Sequence, residues 1–176
     1  MMWVGKRTIQ GFSMLELIIT LLICAIVIML AIPSMSEILI VNRPKNALMH
    51  LDRLVSFARL KAIYSGERIT LCPLIENRCS RGYWDKELTL FIDRGKLGWL
   101  DSRDTILRVT SKIAANDELT YQRNAITFKH TGTTWGLGNG TFTYCVTHSD
   151  GTKSGKSLSL STTGRTRLKD TSRCLY

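Results

Sequence analysis

The sequence predicts an α+β chain, a long N-terminal helix packed on an antiparallel β-sheet. Three observations predict it. Residues 12–32 form an apolar run in which Glu16 is the one charged side chain. Apolar residues then recur at helical spacing at Leu48, Leu51, Leu54, Val55, Ala58, Ala62 and Ile63. Beyond Arg68 the pattern changes to short alternating or apolar runs broken by turn residues, which is how strands read. One helix followed by many strands layers with the helix on one face of the sheet.

The elements follow in order. Residues 1–11 read as a short basic leader carrying Lys6 and Arg7, and residues 12–33 as a membrane anchor. About 20 apolar residues suffice to cross the hydrocarbon core as a helix. The positive leader keeps that end cytoplasmic, so the remainder is exported. A small-residue cleavage site of the secretory type is missing after the run. Glu16 is costly inside lipid, and two readings stay open: it snorkels at the membrane edge, or it awaits a cation from a neighbouring chain. Residues 34–66 continue the helix amphipathically. Pro44 is expected to kink or interrupt it between Ile40 and Arg43, and Ser65-Gly66 to stop it. Residues 67–176 form the β-rich domain. Its strands are expected at 68–72, 88–93, 105–111, 126–129, 141–147 and 157–162. Gly136, Gly138 and Gly140 mark a loop, and Ser149-Asp150-Gly151 a hairpin turn.

Formal charge is +10; without Lys6 and Arg7, 22 basic residues face 14 acidic ones, a net +8. Such a surplus suits a polyanionic partner, or serves solubility alone. Of five cysteines, Cys24 lies in the anchor and four in the exported part. Four cysteines pair in three ways. The pairing expected is Cys72 with Cys79, closing a short loop, and Cys145 with Cys174, tying the tail to a strand; reduced core thiols are the alternative. The spacing of Cys72 and Cys79 is not that of a zinc site, and neither a metal nor a cofactor is expected.

Catalysis is not expected either. His50, His130 and His148 are scattered, and neither a phosphate-binding loop nor a nucleophile elbow is present. Trp84, Trp99 and Trp135 read as core or loop anchors in preference to a base-stacking platform.

The suggestive chemistry lies near the end, in Thr163-Gly164-Arg165-Thr166-Arg167-Leu168-Lys169, followed by Arg173. In an extended segment, residues two apart share a face at about 7 Å. Arg165, Arg167 and Lys169 then point one way, with Arg173 in the same parity. Lys153 and Lys156 extend the patch. From Lys129 onward seven basic residues face two acidic ones, so +5 of the charge lies there. A row of guanidinium groups can contact successive phosphates. A solvated basic hairpin, a DNA contact and some other acidic partner are the readings left open.

Two sets of residues carry a family resemblance. Gly11-Phe12-Ser13-Met14-Leu15-Glu16-Leu17 resembles the type IV prepilin signal, usually written GFTLIEL. The resemblance implies cleavage by a prepilin peptidase between Gly11 and Phe12, N-methylation of Phe12, and pairing of Glu16 with the N-terminal amine of an adjacent subunit. Pro33 is similar to a helix-bending proline of these proteins. Ile69-Thr70-Leu71-Cys72-Pro73, Leu90-Phe91-Ile92-Asp93-Arg94, and Asp104 with Ile106-Leu107-Arg108 resemble the soluble domain of GspH/FimT minor pilins and pseudopilins. That implies the type IV pilin fold. Gly164-Arg165-x-Arg167 resembles the GRxR motif of FimT-like minor pilins, some of which bind DNA in natural transformation.

The function implied is a minor pilin, inserted in the inner membrane before assembly and then part of an extracellular pilus, capturing double-stranded DNA without sequence preference. Its partners would be DNA, major and minor pilins, and the prepilin peptidase. The alternative is a structural minor pilin that primes assembly, or a pseudopilin of type II secretion, without DNA binding.

Overall fold

The computed structural model describes residues 13–148 and 150–175, apart from the side chains of residues 30–36 and 175. Gly11 and Phe12, the expected processing site, lie outside them. Helix α1 runs Met14–Ser65. Ser13 caps its start, its Oγ accepting the Leu15 amide at 3.2 Å. The chain divides at Leu39 and Ile40 into two units.

In the first unit α1 carries Leu17, Ile18, Leu21 and Leu22 more than half exposed. Among the described residues no helix is long and apolar enough to cross a membrane. Residue 12 and the side chains of 30–33, which belong to the expected anchor, are outside that set.

In the second unit α1 buries one stripe: Pro44, Leu48, Leu51, Leu54, Val55, Ala58 and Ala62. The expected interruption before Pro44 does not occur. Proline removes one amide donor, but its ring heads the buried stripe, and packing of an apolar face is what stabilises most protein helices. The helix stops where expected: Gly66 adopts φ 71° and its amide reaches the Ala62 carbonyl at 3.0 Å.

The strands are β1 Ile69–Ile75, β2 Arg78–Cys79, β3 Leu88–Ile92, β4 Thr105–Val109, β5 Asp117–Thr120, β6 Ile126–Phe128, β7 Gly140–Thr147, β8 Lys153–Leu160 and β9 Thr166–Asp170. They form two sheets where one was expected. The first has the order β2-β1-β3-β4, with β6 also paired to β1, at residues 69–71 where β2 pairs at 74–75, and the second the order β5-β7-β8-β9; all pairings are antiparallel. Ile69, Leu71, Leu90 and Phe128 of the first sheet, and Leu119, Phe142, Tyr144, Val146, Leu158 and Leu160 of the second, share one core with the α1 stripe. Truncating any of these leucines to Ala costs about 2–5 kcal/mol. Trp84 sits in the same core, edge-on to Tyr121 and Phe142, its indole N–H donated to the Arg123 carbonyl at 2.9 Å.

Two disulfides close the domain. Cys72 is bonded to Cys79 across a hairpin, and Cys145 on β7 to Cys174 in a short 3-10 turn, Arg173–Leu175.

Candidate nucleic-acid interface

The register of the second sheet sorts its residues by face. Phe142, Tyr144 and Val146 on β7, and Leu158 and Leu160 on β8, point at the core. Leu158 pairs with Leu168, and Leu160 with Thr166, so Thr166 and Leu168 share the core-facing side. Thr166 Oγ1 donates to Asp52 of α1, which fixes the start of β9 to the helix. Arg167 and Lys169 therefore take the opposite, outer face, next to Ser159 and Ser157. The row continues across Thr141 and Thr143 of β7 to Thr120 of β5. The result is a hydroxyl-rich face with cations along the β9 edge.

Arg165 precedes β9 in the hairpin turn. Its amide donates to Ser161 Oγ at 3.1 Å, and its carbonyl accepts the Ser161 amide at 2.9 Å, so the chain is already paired there and Arg165 keeps the parity of Arg167. Gly164 makes this turn possible on two counts. Its φ is +75°, and an added Cβ would lie 2.8 Å from Arg59 Cδ and 2.9 Å from the Gly132 carbonyl oxygen. Arg59 Nε donates to that same carbonyl at 2.9 Å. The turn is thus seated against the helix and against a second turn, 129–133.

The sequence places Arg173 in the parity of the strip, and the structure does not. β9 ends at Asp170, and Arg173 opens the 3-10 turn with its amide on Thr171 Oγ1 at 3.2 Å. The disulfide from Cys145 still brings it to the outer face, over Gly155, where any side chain would overlap the Cys174 sulfur. Arg173 and Lys153 line one small cavity there, with Glu118, Thr120 and Gln122.

Lys156 separates from the others. It has the parity of Leu158 and Leu160, opposite Asp170, and is ion-paired to Asp170. Its ammonium is therefore on the other face of the sheet from Arg167 and already neutralised. Among the described residues none of Lys153, Arg165, Arg167, Lys169 and Arg173 is in an ion pair, whereas Arg43, Arg68, Lys86, Arg94 and Arg103 are. The free set can lend its charge to a ligand.

Glu16 lies in the first turn of α1, where the helix dipole favours an anion. His148 Nε2 and Ser154 Oγ are 2.7 Å apart beside the β7–β8 hairpin. Among the described residues no group of three His, Cys, Asp or Glu is placed to hold a metal. Arg59, Asp52 and Gly132 support the strip without belonging to it, and their distance in sequence gave no signal of it. Trp99 and Trp135 line a common cleft, and each is tied into its loop by its backbone amide, Trp99 to the Lys96 carbonyl and Trp135 to that of Thr127.

The family model described as type II transport protein GspH matches residues 47–164, and that described as the prokaryotic N-terminal methylation motif matches residues 6–32. No curated protein matches. Among solved structures, the type IV minor pilin FimU of Pseudomonas aeruginosa is similar in two crystal forms. One is 23% identical, the match covering 76% of this chain and 96% of the crystallised chain, with a TM-score of 0.57. The other is 22% identical, covers 74% and 98%, and has a TM-score of 0.55. At that identity the likeness is one of fold.

Proposed function

We propose, from the premise that this chain belongs to the family of type II transport protein GspH and has the type IV pilin fold, that it is a DNA-binding minor pilin. Residues 1–11 are a leader cut by a prepilin peptidase after Gly11, Phe12 is the methylated N-terminus, and Glu16 pairs with a neighbour's amine; the methylation motif at 6–32 supports this. Residues 12–33 insert in the inner membrane and then join the filament core. The exposed apolar side chains of the first unit need such a cover.

The observation that carries DNA binding is the outer-face row of Arg165, Arg167 and Lys169 along an edge strand, unpaired and backed by serine and threonine hydroxyls. The Ser157 and Ser159 hydroxyls donate to the Lys169 and Arg167 carbonyls and so hold the strip in place, while the guanidinium and ammonium groups are the donors left for phosphates, which they bind without reading sequence. Cations on an edge strand also discourage pairing with a further strand, so the row has a structural use as well.

Arg165→Gln with Arg167→Gln in the full-length chain tests the reading. Duplexes of unrelated sequence should bind the wild type equally and the variant about tenfold or more weakly, while the variant still enters pili and transformation falls. Equal binding by both proteins would remove the strip as the site.

The matched family description favours a second reading, a pseudopilin or assembly-priming pilin that binds no DNA. Deletion separates the two. Loss of pili or of secreted proteins favours the structural role, and loss of competence alone favours DNA capture.

A further inference from the structure

A second group of cations is assembled around aromatic rings. Trp99 and Trp135 line a cleft of about 260 Å³, together with Arg78, Asn124, Thr127 and Leu137, and none of the residues lining it is a carboxylate. Trp135 is 44% exposed. Lys96 Nζ lies 4.2 Å and Arg78 Cζ 5.4 Å from the centre of the Trp99 ring. Lys129 Nζ lies 5.0 Å and Arg68 Cζ 5.7 Å from that of Trp135. Arg68 is held by Asp93, but Arg78, Lys96 and Lys129 are in no ion pair among the described residues. Two indoles with these three cations offer what a nucleic-acid strand with unstacked bases needs: ring faces for the bases and positive charge for the phosphates between them. A duplex keeps its bases stacked and cannot use the rings.

The cleft is also connected to the strip. The Thr134 amide donates to the Thr162 carbonyl at 2.9 Å, so Trp135 follows directly on a residue bonded to the hairpin tip that carries Gly164 and Arg165. Lys129 closes the turn whose Gly132 carbonyl lies under Gly164. Lys169, Arg167 and Arg165 therefore lead along β9 toward the Lys129 and Trp135 side of the cleft.

We propose that the cleft between Trp99 and Trp135 stacks unpaired nucleobases, so that this pilin holds a single strand, or the unpaired end of a duplex, which continues from the β9 strip onto the two indoles. Lys96 and Lys129 swing from the rings to the phosphates as the bases enter. The strand's path rests on the strip reading; the cleft itself does not.

The test measures binding of the full-length chain in detergent micelles to three labelled probes: oligothymidylate, a duplex, and an abasic deoxyribose phosphate chain. Trp99→Ala and Trp135→Ala should each weaken oligothymidylate about tenfold and leave the duplex and the abasic chain unchanged. Trp99→Phe and Trp135→Phe, which keep a ring and place least demand on folding, should retain most of the affinity. Oligothymidylate binding that is equal in the wild type and the Ala variants, or equally lost in the Phe and Ala variants, overturns the proposal. Arg165→Gln with Arg167→Gln should weaken duplex and single strand alike. If that variant weakens neither while the Ala variants still lose the single strand, the strip reading fails and the cleft stands.

Discussion

Arg59, near the end of the long helix, donates its Nε–H to the carbonyl of Gly132 at 2.9 Å, and Gly164 closes over both. This contact joins three segments far apart in sequence and sets the hairpin tip from which Arg165 projects. A helix residue with no place in the basic strip therefore positions it.

Gly164→Ala should destabilise the domain by about 2 kcal/mol. The new Cβ would need a left-handed backbone that costs an L-residue about 1 kcal/mol, and would also press on Arg59 and on the Gly132 carbonyl. Thermal unfolding should show a melting point several degrees lower. An unchanged melting point would mean that the turn relaxes freely and that the contact with Arg59 positions nothing.

Asp117 is a second tie between the helix and the second sheet. Its buried carboxylate accepts from Arg43 at 3.1 Å and from the Tyr144 hydroxyl at 2.7 Å. Arg43 is 42% exposed and can turn to water, so the larger loss in Asp117→Ala is the stranded Tyr144 hydroxyl, about 1–3 kcal/mol. Tyr144→Phe should be milder, and adding it to Asp117→Ala should cost little more, a coupling of about 1 kcal/mol by denaturant unfolding. Strict additivity would show that the pair is not coupled. Burial, and then the bond to Asp117, pushes the Tyr144 hydroxyl well above the ordinary tyrosine range, so it should ionise after the exposed tyrosines in an alkaline titration.

Asp93 gives the domain an acid-side pH dependence. Its carboxyl accepts from Thr70 Oγ1 at 2.8 Å and from the Gly98 amide at 2.9 Å, but burial outweighs these bonds and the nearby Arg68, and raises its pKa above 3.8. A carboxyl raised in the folded state is protonated there more readily than in the unfolded chain. Its contribution is therefore complete below about pH 4 and is lost as pH rises through the folded value. Asp93→Asn keeps an acceptor for Thr70 and Gly98 and does not ionise. Relative to wild type, the variant should gain stability as pH rises from about 4 toward neutrality. A difference in melting temperature that stays constant with pH, or one that moves the other way, would contradict this.

Much of the fold was legible because its signals are local. The α1 stripe from Leu48 to Ala62 is buried at the positions that helical spacing selects, and the Gly66 stop is where Ser65-Gly66 indicated. What escaped depended on partners distant in sequence. β5 is four residues, Asp117-Glu118-Leu119-Thr120, and its alternation is concealed because one inward residue is an aspartate satisfied by Arg43 and Tyr144. Nothing in the periodicity tells which strands pair, so the division into two sheets was invisible. Lys156 is different: Lys156, Leu158 and Leu160 already share a parity in the sequence, and that alternation alone sets Lys156 apart from Arg167. The cleft of Trp99 and Trp135 was hidden for the opposite reason, since residues 36 positions apart meet only through the fold.

The most direct measurement is the salt dependence of duplex binding by the full-length chain. Each phosphate neutralised adds about 0.9 to the slope of log affinity against log salt. With Arg165, Arg167 and Lys169 each on a phosphate, the wild-type slope should be about −3 or steeper, and Arg165→Gln with Arg167→Gln should lower its magnitude by about 2 whatever the duplex sequence. Identical slopes for the two proteins would contradict the account.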